Sequence, residues 1–117
     1  MTVAATMCVS AQMVTAYAAV APRYQAWQDA NRGGMLFTAP GGTMGSSNYP
    51  YYNMTDHGMN DKISSIQNYQ SGYLYAYQDI DMKGWRLTVK ANQYMSDLRN
   101  YPADNGSATN DRISSMW

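Results

Sequence analysis

The segment Asn110-Asp111-Arg112-Ile113-Ser114-Ser115 restates Asn60-Asp61-Lys62-Ile63-Ser64-Ser65, fifty positions earlier. The same offset, without a gap, sets Trp27-Gln28-Asp29 on Tyr77-Gln78-Asp79, Gly34 on Gly84, Thr38 on Thr88 and Tyr51 on Tyr101. Matches cluster at the two ends of a unit, Arg23 to Gln67 and again Tyr73 to Trp117, while the middle of each unit has drifted. That is the pattern of strand frames held constant around variable loops. Solenoids and propellers also repeat at this period, but they need three or more copies to bury their faces. Two copies predict a closed pair of motifs, each covering the apolar face of the other.

Size and charge narrow the choice. With 117 residues there is room for one compact domain. Eight basic residues balance eight acidic ones, so there is no basic stripe for nucleic acid or an anionic membrane. Eleven tyrosines, ten methionines and three tryptophans outweigh the scarce Leu, Ile, Val and Phe. The expected core is therefore aromatic rings and flexible thioethers, which fill irregular gaps. The single cysteine, Cys8, excludes an intramolecular disulfide and reads as a small buried hydrophobe. A small extracellular domain without disulfides leans on a metal or on assembly for stability.

Local patterns read as strands. Trp85-Arg86-Leu87-Thr88-Val89-Lys90 alternates apolar and polar, Leu74 and Ala76 alternate against Tyr75 and Tyr77, and Met35, Phe37 and Ala39 share the matching parity. Gly33-Gly34 and Lys83-Gly84 fall where hairpins must turn. Pro40 to Asn48 and Pro102 to Asn110 are loop-like in composition. No segment carries a helical period, and only Tyr94 to Leu98 suggests a single helical turn. The expectation is an all-β sandwich or small barrel.

In each unit an aromatic residue is followed by Gln-Asp, then by a glycine seven positions after the aromatic, and then by Asn-Asp-x-Ile-Ser-Ser. This resembles the βγ-crystallin Greek-key motif. The resemblance implies a βγ-crystallin-like Greek-key sandwich of two repeated motifs, about 23–67 and 73–117, making one domain of two packed four-stranded sheets over 23–117. Residues 1–22 are left as an extra N-terminal strand or arm. The chain departs from the motif at Arg32 and Met82, where the family usually places a corner aromatic, and at Gln28 and Gln78, where an acidic residue is common. The closing segment matches the calcium motif of microbial members, so the resemblance implies calcium as a cofactor.

The residues support cation chemistry in their own right. Asp61 with Ser64, and Asp111 with Ser114, supply side-chain oxygens three residues apart, with the carbonyls of Lys62 and Arg112 between them. Calcium takes six to eight oxygen ligands, so one loop gives too few. The resemblance implies a swap that joins Asp61, Lys62 and Ser64 to Gln78, and Asp111, Arg112 and Ser114 to Gln28. The glutamines lower the ligand charge and point to modest affinity. The plainer alternative is that the aspartates only bond turn amides and the serines face water.

Residues 1–22 are uncharged and rich in small side chains. Val3, Ala5, Met7, Val9, Ala11 and Met13 share one parity, while Thr2, Thr6, Cys8, Ser10 and Gln12 share the other, as in a strand with one apolar face. Such a strand covers its own domain's flank or adds to a neighbouring molecule. A secretory signal ending near Ala16-Tyr17-Ala18 is a further reading, and the polar interruptions argue against a transmembrane helix.

Enzyme signatures are weak. His57 sits in a Gly- and Asn-rich loop, no Cys/His cluster suggests zinc, and Gly41-Gly42-Thr43 lacks the lysine of a phosphate loop. The expected function is a non-enzymatic, calcium-binding structural or assembly module. It would self-associate or join a neighbouring coat, fibre or virion-surface protein through its N-terminal strand, and so sit outside the cell or on a virion. The alternative is a secreted binding module such as a protease inhibitor, presenting an exposed loop such as Pro40 to Tyr52.

Overall fold

The computed structural model describes residues 22–41 and 51–117. The predicted partner strand, Val3 to Met13, and most of the Pro40 to Asn48 loop lie outside the described residues. Eight strands follow in order: β1 (Tyr24–Asp29), β2 (Gly33–Ala39), β3 (Tyr52–Asn53), β4 (Ser65–Asn68), β5 (Leu74–Asp79), β6 (Lys83–Val89), β7 (Tyr94–Met95) and β8 (Ser115–Met116). Short 3-10 turns occupy Met54–His57, Ile80–Met82 and Leu98–Asn100.

The strands form two antiparallel four-stranded sheets, ordered β2-β1-β4-β7 and β3-β8-β5-β6. Each repeat keeps three strands in one sheet and lends its third strand to the other. Neither repeat is complete alone, which is how two copies suffice. The register confirms the duplication bond by bond. Tyr24 faces Ala39, Ala26 faces Phe37 and Asp29 faces Gly33 in the first hairpin. Fifty residues on, Leu74 faces Val89, Ala76 faces Leu87 and Asp79 faces Lys83, with a bulge at the same place.

The lent strands break the fixed offset. Tyr52 pairs with Met116 and Met95 pairs with Ile66, so Tyr52 and Met95 are equivalent, 43 positions apart. The first repeat carries seven extra residues before its third strand and the second repeat carries seven extra after it. The two insertions cancel in the gap-free alignment. Its match of Tyr51 to Tyr101 is therefore not a structural one.

The apolar parity of β5 and β6 turns Leu74, Ala76, Trp85, Leu87 and Val89 inward. They meet Tyr24, Phe37, Ile63, Ile66 and Ile113, with Met54, Met59, Met95 and Met116 filling between. The core is thus as rich in thioethers as composition predicts, but most of the aliphatic residues beyond residue 22 are also drawn into it.

Three expectations are corrected. Met35 shares the parity of Phe37 and Ala39 yet stays exposed, because it lies at the hairpin end where no layer covers it. The hairpins turn earlier than Gly33 and Lys83: Asn31, Arg32, Asp81 and Met82 take positive φ, and β2 and β6 already begin at Gly33 and Lys83. The helical turn starts at Leu98 rather than Tyr94. Tyr94 and Met95 pair with β4, and the Asp97 side chain, accepting from Arg99 N at 3.1 Å, starts the turn three residues later.

Candidate metal centre

The constant residues of the repeat divide into those that fold each hairpin over and those that line a cleft. Gly34 and Gly84 belong to the first group, with φ of +72° and +80°. A Cβ at Gly84 would lie 2.7 Å from Gln78 Cβ and 2.9 Å from Asp79 Oδ2, so the Gln-Asp corner closes only over a glycine. The second serine of each pair clamps the same corner. Ser65 Oγ donates to Asp29 O at 2.7 Å and accepts from Arg32 N at 3.2 Å. Ser115 Oγ donates to Asp79 O at 2.6 Å and accepts from Met82 N at 3.0 Å. Both serines are fully buried. At the position of the missing corner aromatic, Arg32 lays its guanidinium 3.9 Å from the Tyr94 ring centre and donates to Gln67 Oε1 at 3.0 Å. A stacked cation replaces a ring there.

The Asn-Asp-x-Ile-Ser-Ser loops cross each other. Asp61 and Asp111 take left-handed backbone, φ 55° and 57°. Asp61 N donates to Ile113 O at 3.1 Å and Asp111 N donates to Ile63 O at 3.0 Å. Ser64 N is tied to Trp27 O and Ser114 N to Tyr77 O, both at 2.9 Å. The loops are thus related by a local twofold, each anchored to its own hairpin and to the opposite loop. The first serine of each pair reaches across: Ser64 Oγ donates to Asp111 Oδ1 at 3.0 Å, and Ser114 Oγ donates to Asp61 Oδ1 at 3.3 Å. Each aspartate carboxylate thus accepts from the opposite loop's serine.

Two open clefts result. The first, about 200 Å³, is lined by Gln28, Asp29, Asp61, Lys62, Ser64 and Asp111. The second, about 590 Å³, is lined by Asp61, Gln78, Asp79, Asn110, Asp111, Arg112 and Ser114. All eight predicted residues line one cleft or both. Lys62 and Ser64 lie with Gln28 of their own repeat and Arg112 and Ser114 with Gln78 of theirs, while Asp61 and Asp111 each line both clefts. Each loop hangs from its own hairpin through the serine amide, and the aspartate at its tip reaches both clefts.

Asp29, Asp79 and Asn110 also line the clefts and are not among the eight candidate ligands. Their signal was present, since all three stand at constant positions of the repeat. The amide oxygens of Asn60 and Asn110 are buried without a hydrogen-bond partner among the described residues. Among those residues there is no cluster of three or more His, Cys, Asp or Glu side chains. His57 lines neither cleft; its ring packs 4.7 Å from Phe37 and 5.5 Å from Tyr52. Any chemistry in the clefts is therefore that of hard, mixed oxygen donors.

Two carboxylates outside the clefts, Asp81 and Asp104, have lowered pKa. Hydrogen bonds from Asn53 and Tyr51 hold Asp81 below the usual carboxylate range, which pins β3 to the second hairpin. At Asp104, burial pushes the pKa up, but bonds from Thr88 and Arg86 outweigh it and the group is held low.

Comparison with known proteins agrees with this architecture. A βγ-crystallin from Ciona intestinalis superposes with a TM-score of 0.59 at 17% identity, over 80% of this chain and 94% of that one. A βγ-crystallin from an archaeon matches with a TM-score of 0.55 at 23% identity, over 82% and 95% of the two chains. A βγ-crystallin domain from Flavobacterium johnsoniae matches with a TM-score of 0.56 at 23% identity, over 80% and 90%. No family model and no curated protein sequence matches the chain. The fold is that of the βγ-crystallin domain, an all-β Greek-key sandwich.

Proposed function

We propose that the domain is a non-enzymatic calcium-binding structural module whose two sites fasten one repeat to the other. One observation carries this reading: each cleft joins an aspartate of one loop to a serine of the other. The paired oxygens lie 3.0 and 3.3 Å apart. Oxygens at ~2.4 Å from an ion and roughly 75–90° apart are separated by about that distance, so the pairs suit neighbouring ligands of a calcium shell.

The rest of the donor set agrees. The carbonyls of Lys62 and Arg112 accept no hydrogen bond among the described residues. Both clefts have room for water to complete a shell. No imidazole or thiolate lines them, which favours a hard cation over zinc or copper. When bound, the ion supplies positive charge between oxygens that belong to both repeats. The chain supplies the rest: the serine hydroxyl turns its lone pairs inward and the crossing aspartate gives up its hydrogen bond. Gln28 is the weakest candidate ligand, because its side-chain oxygen faces Met35 N at 3.4 Å. With so few carboxylates per cleft, affinity belongs near the weak, extracellular end of the calcium range.

The test is thermal melting with calcium, with magnesium and with chelator. A ligand that binds only the folded state at a hundred times its dissociation constant adds about 2.7 kcal/mol. No shift at millimolar calcium, in the parent and in Asp61→Ala and Asp111→Ala alike, would sink the cation reading.

The module's role is assembly, outside the cell or on a virion, through the strand-like residues 1–22. Support for this is the uncharged, alternating pattern of Val3, Ala5, Met7, Val9, Ala11 and Met13. Sedimentation of the full chain measures it. A particle of 13.1 kDa at every concentration tested would refute assembly.

A further inference from the structure

The two outermost hairpin strands are equivalent in register but not in protection. On β6 the outward backbone groups are occupied: Arg86 O accepts from Asp104 N at 2.8 Å, and Thr88 N donates to Asp104 Oδ1 at 3.3 Å. The Asp104 carboxylate also takes Arg86 Nε at 3.1 Å and Thr88 Oγ1 at 2.9 Å. Asp104 belongs to the long segment between β7 and β8, where the second repeat carries its seven extra residues. That insertion covers the sheet edge, one of the standard ways in which proteins prevent edge-to-edge pairing.

The first repeat has no such cover among the described residues. By the fifty-residue register, Leu36 and Thr38 stand where Arg86 and Thr88 stand. Their outward carbonyl and N–H meet no described partner. The segment between β3 and β4, which would carry a second Asp104, is the short one. Charge does not guard the edge either. β2 reads Gly33-Gly34-Met35-Leu36-Phe37-Thr38-Ala39, whereas β6 carries Lys83 and Arg86. Met35 is 46% exposed and Leu36 47%, against 9% for Trp85 at the position equivalent to Met35. An open, uncharged, partly apolar edge is a template for one more strand.

We propose that β2 receives residues 2–13 of a second copy of this chain as an added strand, which extends the β2-β1-β4-β7 sheet by one. This rests on the assembly reading above and names its receiving edge. The chain outside the described residues supplies the occupant. Twenty-one residues precede Pro22, and the chain enters β1 with Arg23 N bonded to Ala39 O at 3.0 Å, at the end of β2 itself. Their alternation suits the edge. The parity of Val3, Ala5, Met7 and Val9 would continue the face of Met35 and Phe37 and cover Met35. The parity of Thr6, Cys8 and Ser10 would continue the outer face of Leu36 and Thr38.

The experiment compares the full chain with Thr38→Pro, Leu36→Lys and the arm variant Met7→Lys/Val9→Lys by sedimentation. Proline at an outward N–H removes an edge donor without breaking the bonds to β1. All three variants should drop the assembly to the 13.1 kDa monomer, with far-UV spectra unchanged. In a Leu36→Cys chain oxidised by glutathione disulfide, mass spectrometry should find Cys8 of one copy bonded to the introduced residue of another. A monomeric parent chain overturns both the assembly reading and this edge. If the arm variant dissociates and the edge variants do not, the arm docks elsewhere and only the edge assignment fails. If the edge variants dissociate, the arm variant does not, and cross-links join only introduced residue to introduced residue, β2 pairs with its own copy and the arm is excluded as occupant.

Discussion

The adjacent serines of each Ser-Ser pair should fail in opposite ways. Ser115 is fully buried and holds two backbone groups, the carbonyl of Asp79 at 2.6 Å and the N–H of Met82 at 3.0 Å. Ser115→Ala strands both. An unsatisfied buried polar group costs about 1–3 kcal/mol, and some relaxation toward water is available at an exposed hairpin, so the expected loss is about 2–3 kcal/mol. For a domain of roughly a hundred residues that is a melting-point drop of about 10–15 °C. Ser114 makes one longer bond, 3.3 Å to Asp61, at the mouth of an open cleft. Ser114→Ala leaves a carboxylate that water can reach, so its cost without calcium is at most about 1 kcal/mol. With saturating calcium the order reverses in the increment: Ser115→Ala keeps the calcium-induced rise, and Ser114→Ala loses about half of it because one of two sites is damaged. Differential scanning calorimetry of both variants, with chelator and with calcium, reads all four values. The division of labour is refuted if Ser114→Ala lowers the chelated melting point as far as Ser115→Ala does. It is equally refuted if Ser115→Ala alone abolishes the calcium rise.

Three further outcomes follow from the geometry. Since Ser64 bonds Asp111 and Ser114 bonds Asp61, Asp61→Ala/Ser114→Ala should retain one class of calcium sites by titration calorimetry, while Asp61→Ala/Ser64→Ala retains none; the reverse would restore the uncrossed grouping. Gly84→Ala places a Cβ 2.7 Å from Gln78 Cβ at a φ of +80°, and should cost at least about 2 kcal/mol in urea unfolding. Gly58→Ala, at φ +68° with open space around it, should cost only about 1 kcal/mol, and equal losses would show that strain alone decides. The lowered pKa of Asp104 means that its bonds to Thr88 and Arg86 stabilise fully above the unfolded value of about 3.9 and fade as pH falls through the lower folded value. Its carboxyl resonance should therefore titrate below about 3.9, and a midpoint above that would contradict the edge cap.

The duplicated frame and the hairpins could be read directly, because period-two alternation and a fixed offset are local patterns. Leu74, Ala76, Leu87 and Val89 went where parity sent them. The exchange of third strands could not be read. β3 and β7 are two residues each, too short to carry a period, and their equal insertions hid the change of offset. All eight candidate residues line the clefts, but the cross-loop pairing of Ser64 with Asp111 and of Ser114 with Asp61 could not be read. The crossing of Asp61 and Asp111 is set by the amides that donate to Ile113 and Ile63, a tertiary contact with no local signature. Met35 misled because parity predicts a direction and not whether a layer exists to meet it.

The lent strands also dictate an order of events during synthesis. β3 is made well before β8, its only strand partner among the described residues, since Tyr52 pairs with Met116. β1, β2 and β4 can associate as soon as they emerge, but β3 must wait until β8 has been made. Non-local pairing of this kind folds slowly. Until β8 is made, Tyr52 and Asn53 stay without their sheet, so a truncation ahead of Ser115 would leave β3 with no strand to pair with.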